Sequence, residues 1–255
     1  MRKSIKQLLS IILFASLLLP TIKAAEESVS QNNELNDIRG LVKPVTSATL
    51  SSEIVGRIIK LPFKLGGSFK KGQILVQFDC SLYNAELAAA NAHLEAEQKK
   101  YENNLQLLAL NAISKIEVDI SAIDVKKADA EKQIAAVRVQ RCVIHAPYDG
   151  RVIDTAANAY ESVGPDQGLL SILSDKQLEI ELIVPSSWLT WLQMGVEFQF
   201  LIDETGKDYK AKVAQLGASV DPVSQTLRVI GIFTTDTAYI LSGMSGTAKF
   251  REPGN

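Results

Sequence analysis

The chain has 255 residues, 46% hydrophobic and 22% charged, with a formal net charge of −2 at pH 7. That length admits one to three small domains, and the composition is that of an ordinary globular protein. The charge leaves no footprint for a nucleic acid.

Arg2, Lys3 and Lys6 precede an apolar run over residues 8–19, and residues 20–25 end in small side chains. This is the pattern of a secretory signal peptide, with cleavage expected after Ala24 or, as the alternative, Ala25. The apolar run of about 12 residues is shorter than the ~20 that a spanning helix needs. Removal is therefore favoured over retention as an anchor. No Cys follows the run, so a lipid-modified start is not expected. The mature chain is expected outside the cytoplasm, in the periplasm of a Gram-negative source.

Residues 26–36 are polar, and 38–45 read as a strand. The chain then gives Gly56-Arg57-Ile58-Ile59, followed by Gly66, Phe69, Gly72, Leu75 and Phe78. Further on it gives Gly150-Arg151-Val152-Ile153, then Val163, Leu170 and Leu173. Phe69 matches Val163 at the same offset as Gly56 matches Gly150. Leu75 and Phe78 match Leu170 and Leu173 one insertion later. Each copy is a run of short β-prone segments, with Gly56, Gly66, Gly72 and Gly150 expected at turns. Neither copy has enough apolar surface to fold alone, so the two are expected to pair into one small domain.

Between the copies, residues 81–110 and 114–141 read as two helices folded back on each other. Tyr83, Leu87, Ala90, Leu94, Tyr101, Leu105 and Leu108 keep close to a 4,3 spacing, with Glu97 or Gln98 interrupting it. Ile116, Ile120, Ile123, Ala130, Ile134 and Val137 keep the same spacing, with Lys127 at one position. These are the a/d seams of a coiled coil. Asn111 supplies a stop, and Ser114 supplies an N-cap that Glu117 completes as a capping box. The short link makes the pair antiparallel, with arms of about 45 Å. Cys80 and Cys142 are the only cysteines, and antiparallel packing brings both to the base. An exported protein can hold a disulfide there. Two reduced, buried thiols are the alternative.

After the second copy, residues 177–184 alternate like a half-buried strand. Residues 185–191 suggest a short helix with Ser186 or Ser187 near its cap. Strands are expected at 197–202, 209–217, 226–234 and 246–250, and turns at 203–206 and 219–222. Short strands at this spacing read as a small β-barrel.

Little in the chain suggests catalysis. His93 and His145 stand far apart, and no zinc-spaced Cys pair or nucleophile with its base is present. Gly66-Gly67 lacks the Gly-Lys-Ser/Thr continuation of a phosphate loop. Met1, Met194 and Met244 are the only methionines, too few and too scattered for a soft-metal site. The expectation is a protein that is not an enzyme and holds no cofactor or metal.

Two half-motifs split by a helical hairpin resemble the lipoyl (biotinyl-like) domain of the membrane fusion proteins, also called periplasmic adaptor subunits or HlyD-like proteins. The matching residues are Gly66-x-x-Phe69-Lys-Lys-Gly72-x-x-Leu75-x-x-Phe78-Asp79, then Ala112-Ile113-Ser114, then Ala146-Pro147-Tyr148-Asp149-Gly150-Arg151-Val152. The resemblance runs from about residue 38 to 252. It implies a mostly β fold with an α-helical coiled-coil hairpin. A split lipoyl-like domain carries the hairpin, and a small β-barrel follows. The boundaries are 1–24 for the signal peptide and 25–40 for an N-terminal segment with the first barrel strand. The lipoyl-like domain takes 41–79 and 143–175, the hairpin 80–142 and the barrel 176–252. Val220-Asp221-Pro222-x-Ser224-Gln-Thr226 and Leu241-Ser-Gly243-Met244 are similar to the family's recurring barrel turns, with Ser242 where Pro is common. Few residues follow Phe250, so the membrane-proximal β-domain of many adaptors is expected to be missing.

In that family the hairpin tip meets an outer-membrane channel, and the lipoyl and barrel domains ring an inner-membrane transporter. The resemblance therefore implies a periplasmic adaptor of an efflux pump, peripheral to the inner membrane and self-associating into a ring. A transporter of the resistance-nodulation-division (RND) class is favoured, and no nucleic acid is involved. Adaptors of RND pumps often show Arg, Leu and Ser at the tip. Here Asn103, Leu107 and Ser114 stand at that spacing, with Asn103 in place of Arg and Asn111 in the link. One alternative is an adaptor of an ABC-driven exporter or type I secretion system, but those usually keep an anchor and have longer hairpins. Another is a biotin or lipoyl carrier subunit, which needs a Lys on the turn that the hairpin replaces here.

Overall fold

The computed structural model describes residues 37–251. The expected signal peptide, residues 1–24, and the polar stretch to residue 36 lie outside the described residues.

The internal repeat determines how the first sheets form. Strands β2 (Ser47–Ser51), β3 (Gly56–Lys60), β4 (Ser68–Phe69) and β5 (Ile74–Phe78) come from the first copy. The second supplies β6 (Val143–His145), β7 (Gly150–Thr155), β8 (Ser162–Val163) and β9 (Gly168–Leu173). They make two four-stranded antiparallel sheets, ordered β2-β9-β7-β4 and β6-β5-β3-β8. Exchanging each strand for its counterpart in the other copy turns one order into the other. Each sheet thus draws strands from both copies, and neither copy closes by itself. Equivalent side chains share one core: Ile58 with Val152, Phe69 with Val163, Leu75 with Leu170. Full burial of chains this size is worth ~1.5–3 kcal/mol each.

Gly66 and Gly72 sit in turns at φ of 76° and 82°, which glycine adopts without a Cβ penalty. Gly56 and Gly150, expected at turns, instead open β3 and β7. At Gly150 a Cβ would run into the carbonyl oxygen of Leu173 on β9, so this glycine permits close strand approach.

Between β5 and β6 run α1 (Ser81–Ala109) and α2 (Lys115–Gln140), packed antiparallel. The α1 seam follows the expected spacing: Leu94 is buried, and Tyr83, Leu87, Ala90, Tyr101 and Leu108 are half-buried. Asn104 takes the place expected for Leu105, which is exposed. The α2 seam differs from the expectation. Its buried residues are Val118, Ser121, Ala128 and Ala135, with Val125, Lys132 and Val139 half-buried on the same 3,4 spacing. Ile116, Ile120, Ile123, Ala130, Ile134 and Val137, expected in the seam, are exposed. The small Ala and Ser side chains let the helices approach, and the bulkier isoleucines stay outside.

The remaining strands are β1 (Asp37–Pro44), β10 (Leu178–Pro185), β11 (Glu197–Ile202), β12 (Lys207–Asp221), β13 (Thr226–Phe233) and β14 (Ser245–Phe250). They close an antiparallel barrel in the order β1-β10-β13-β12-β11-β14. Val42, Ile180, Leu182, Phe200, Ile202, Val213 and Val229 fill it. The whole of β1 belongs to this barrel, so the boundary expected at residue 40 moves to 44. The turn expected at 219–222 shifts as well. β12 continues through Asp221, whose carboxylate accepts the N–H groups of Val223 and Ser224, both at 2.9 Å. The expected short helix is a 3₁₀ turn, Ser186–Thr190, which follows Pro185 with no side-chain cap. Its Trp188 packs edge-on against Phe250 at 5.3 Å.

Candidate functional site

The helix pair has a braced base and an open tip. At the base, Cys80 and Cys142 are joined, with Cα atoms 5.8 Å apart. The Arg141 guanidinium reaches Glu53 at 2.9 Å, and the Tyr83 hydroxyl donates to the Val55 carbonyl at 2.9 Å. Asp79 accepts the Ser81 N–H at 3.1 Å and pairs with Arg57 at 3.3 Å. Those bonds, Ser81 first and Arg57 after it, hold the Asp79 carboxyl below the usual carboxylate range. The Phe78 N–H donates to the Cys142 carbonyl at 2.8 Å, continuing the sheet into the helix base.

Along the pair, three polar side-chain contacts recur every seven residues on each helix. Glu86 meets Arg138 at 3.2 Å, His93 meets Glu131 at 3.7 Å, and Lys100 meets Asp124 at 3.0 Å. All are exposed or nearly so, and exposed pairs contribute little stability each. Their regular spacing marks one face of the pair.

The tip is built by two local motifs. Ala112 N–H donates to the Leu107 carbonyl and Asn111 N–H to the Leu108 carbonyl, both at 2.9 Å. This is the Schellman closure of a helix. It puts Asn111 at φ 57°, a left-handed conformation that Asn tolerates. Ser114 then caps α2. Its hydroxyl accepts the Glu117 N–H at 3.4 Å, and Glu117 accepts the Ser114 N–H at 3.0 Å.

Of the tip residues singled out in the sequence, Leu107, Asn111 and Ser114 come together at this end. Asn103 lies on α1 about 9 Å further down, at 1.5 Å per residue. Asn103, Asn111 and Ser114 are exposed and Leu107 is half-buried. Leu110 and Ile116, not singled out as tip residues, are the most exposed apolar side chains here, at 75% and 70%. Ile116 keeps the 4,3 spacing of the stripe expected in the helix seam, so the sequence alone points it there and not to the tip.

Neither histidine forms part of a polar cluster. His145 Nδ1 lies 3.0 Å from the Gly72 carbonyl, and His93 meets only Glu131. Among the described residues, no group of three or more His, Cys, Asp or Glu could hold a metal ion. No helix among them is long and apolar enough to cross a membrane.

No protein-family profile matches the chain. Individual proteins do. The solvent efflux pump periplasmic linker SrpA of Pseudomonas putida is 25% identical over 233 residues, covering 85% of this chain and 61% of that protein. A MacA–MexA chimera containing the Pseudomonas aeruginosa MexA α-hairpin domain superposes with a TM-score of 0.73. Its identity is 21%, and the match covers 85% of this chain and 80% of the chimera. A membrane fusion protein from Streptococcus pneumoniae gives a TM-score of 0.72 at 16% identity, over 85% of this chain and 98% of the other. The chain spans only 56–65% of the length of the first curated relatives it matches.

Proposed function

We propose that the chain is a membrane fusion protein, a periplasmic adaptor of an efflux pump, as its likeness to efflux pump periplasmic linkers and to membrane fusion proteins supports. In this reading it joins an inner-membrane transporter, of the RND class, to an outer-membrane channel. A cleaved signal peptide exports it, and it works at the periplasmic side of the inner membrane without catalysis or cofactor. The two intertwined sheets are a split lipoyl-like domain, the helix pair is its inserted coiled-coil hairpin, and copies assemble into a ring.

The observation that carries this reading is the contrast between the ends of the helix pair. The base is fastened by Cys80–Cys142, Arg141–Glu53 and Tyr83–Val55. The tip presents Asn111, Leu110 and Ile116 outward. A contact surface on a braced lever suits a protein that acts by holding partners together. The RND assignment rests on Leu107 and Ser114 standing at the spacing of that class.

Excision of the pair tests it. The 5.8 Å between the Cα atoms of Cys80 and Cys142 matches the ends of a four-residue β-turn, which lie less than about 7 Å apart. Two glycines can therefore replace Ser81 through Arg141. The shortened protein is expected to fold, to reach normal abundance and to support no export. Export at the level of the intact protein would contradict the reading.

A further inference from the structure

The two cysteines at the helix base have different surroundings. Cys142 is 1% exposed and packs into the core of the two intertwined sheets, whereas Cys80 is half-buried at the edge of that core. Backbone bonds hold the α2 side. The Phe78 N–H donates to the Cys142 carbonyl at 2.8 Å, and β6 pairs with β5 from Val143 onward. The α1 side is held less firmly. Its last backbone bond to the sheets runs from the Asp79 N–H to the Arg57 carbonyl, at 2.8 Å. Cys80 stands at the N-cap of α1, and its side chain makes no capping bond. Apart from the bridge, side-chain ties at the base are Asp79–Arg57, Tyr83–Val55 and Arg141–Glu53. The two ion pairs among them are exposed, and such pairs contribute little each.

Acceptors for two thiols already stand beside the bridge. The Cys142 N–H donates to the Val139 carbonyl at 3.1 Å, one residue short of the Arg138 carbonyl that an α-helical bond would use. The Cys142 sulfur lies 3.6 Å from that Arg138 carbonyl, and the Cys80 sulfur lies 3.8 Å from the Val139 carbonyl. Once opened, the pair has two S–H donors and two helix-end carbonyls within reach. The reduced state is therefore satisfied where it stands.

We propose that the Cys80–Cys142 bridge is a redox clasp. Closed, it fixes the helix pair to the sheets. Opened by a dithiol, it frees the pair to pivot on its base. The half-buried Cys80 sulfur is the one that a thiolate can reach. Attack there forms a mixed disulfide with Cys80 and expels Cys142 as a thiolate, which takes up a proton and turns to the Arg138 carbonyl. The second thiol of the reagent then attacks the reagent's own sulfur in the mixed disulfide. That step releases Cys80, which is protonated in turn, and closes the reagent's disulfide. Two electrons and two protons pass from the dithiol to the protein. A thiolate expelled into apolar surroundings is a poor leaving group. The clasp thus resists stray monothiols and opens to a dithiol, which completes the exchange within one molecule. The helices stay paired with each other, because Glu86–Arg138, His93–Glu131 and Lys100–Asp124 join them along their length. What changes is the freedom of the tip relative to the sheets.

The inference concerns the base alone and holds whether or not the adaptor reading does. Its test uses the full chain isolated from cells, with spin labels carried on non-canonical amino acids at positions 111 and 205, so that no cysteine is added. In dithiothreitol, a dithiol, mass spectrometry should find both cysteines free. The distribution of distances between the labels should then broaden at least about twofold. Hydrogen exchange in the first turn of α1, residues 81–84, should quicken about tenfold, with the core amides of Val76 and Leu170 unchanged. Cys80→Ala/Cys142→Ala should reproduce both effects without any reductant. A distribution equally narrow in every state would overturn the clasp, because the bridge then adds nothing to the base. Core exchange that rises together with that of α1 would overturn it as well, because the bridge is then a staple that the fold itself needs. So would a bridge that dithiothreitol opens only when the chain unfolds.

Discussion

Asp149 ties together segments from three parts of the chain. Its Oδ1 accepts the Lys71 N–H at 2.8 Å, and its Oδ2 pairs with Lys176 at 2.7 Å on the link between β9 and β10. The hydrogen bond from Lys176 and, after it, the Lys71 N–H hold this carboxyl below the ordinary value of 3.8. A carboxyl depressed on folding adds stability that is present above its unfolded value and lost as pH falls through the folded one. Asp149→Asn is therefore expected to melt below the wild type at pH 7, with the gap narrowing as pH falls below the ordinary carboxylate value of 3.8 and the wild-type carboxyl protonates. Melting curves at pH 7, 5 and 3 check this, and a gap that does not change with pH would contradict it. The neighbouring Gly150 shows the limit of reading single residues. Its place in a repeated motif was legible. Its role was not, because the clash it avoids is with Leu173, a residue distant in sequence.

The helices were legible as elements because spacing, the Schellman stop and the capping box are local. Ser114 and Glu117 announce the start of α2, and the structure forms the box. The α2 seam was misread because two stripes share one period, and side-chain bulk favoured the isoleucines over Val118, Ser121, Ala128 and Ala135. Periodicity locates stripes but does not say which one faces the partner helix. At the base of the pair the junction spans 62 residues of sequence. In the chain-entropy description, closing a loop of that size stabilises by about 4 kcal/mol. Thiol-blocking followed by mass spectrometry of the non-reduced protein isolated from cells should recover peptides of Cys80 and Cys142 as one linked species. Two blocked cysteines would show reduced thiols instead.

Across the described residues, the repeat was the most informative signal. Gly56-Arg57-Ile58-Ile59 and Gly150-Arg151-Val152-Ile153 implied two halves that fold together, and the sheets interleave them strand for strand. The barrel was legible strand by strand, except that β1 joins it along its whole length and β12 runs on to Asp221. Both misses concern long-range pairing, β1 with β10 and β14, and β12 with β13 past a register shift. Such pairings have no local sequence signature. Partners lie further still from the sequence, since tip and barrel surfaces are read only by what they touch. The most direct measurement of the adaptor claim is in-cell photo-cross-linking from Asn111 at the tip and, separately, Thr205 on the β11–β12 turn, with the products identified by mass spectrometry. The account predicts an outer-membrane channel from position 111 and an inner-membrane transporter or a second copy from position 205. Recovery of only soluble enzymes from both positions would contradict it.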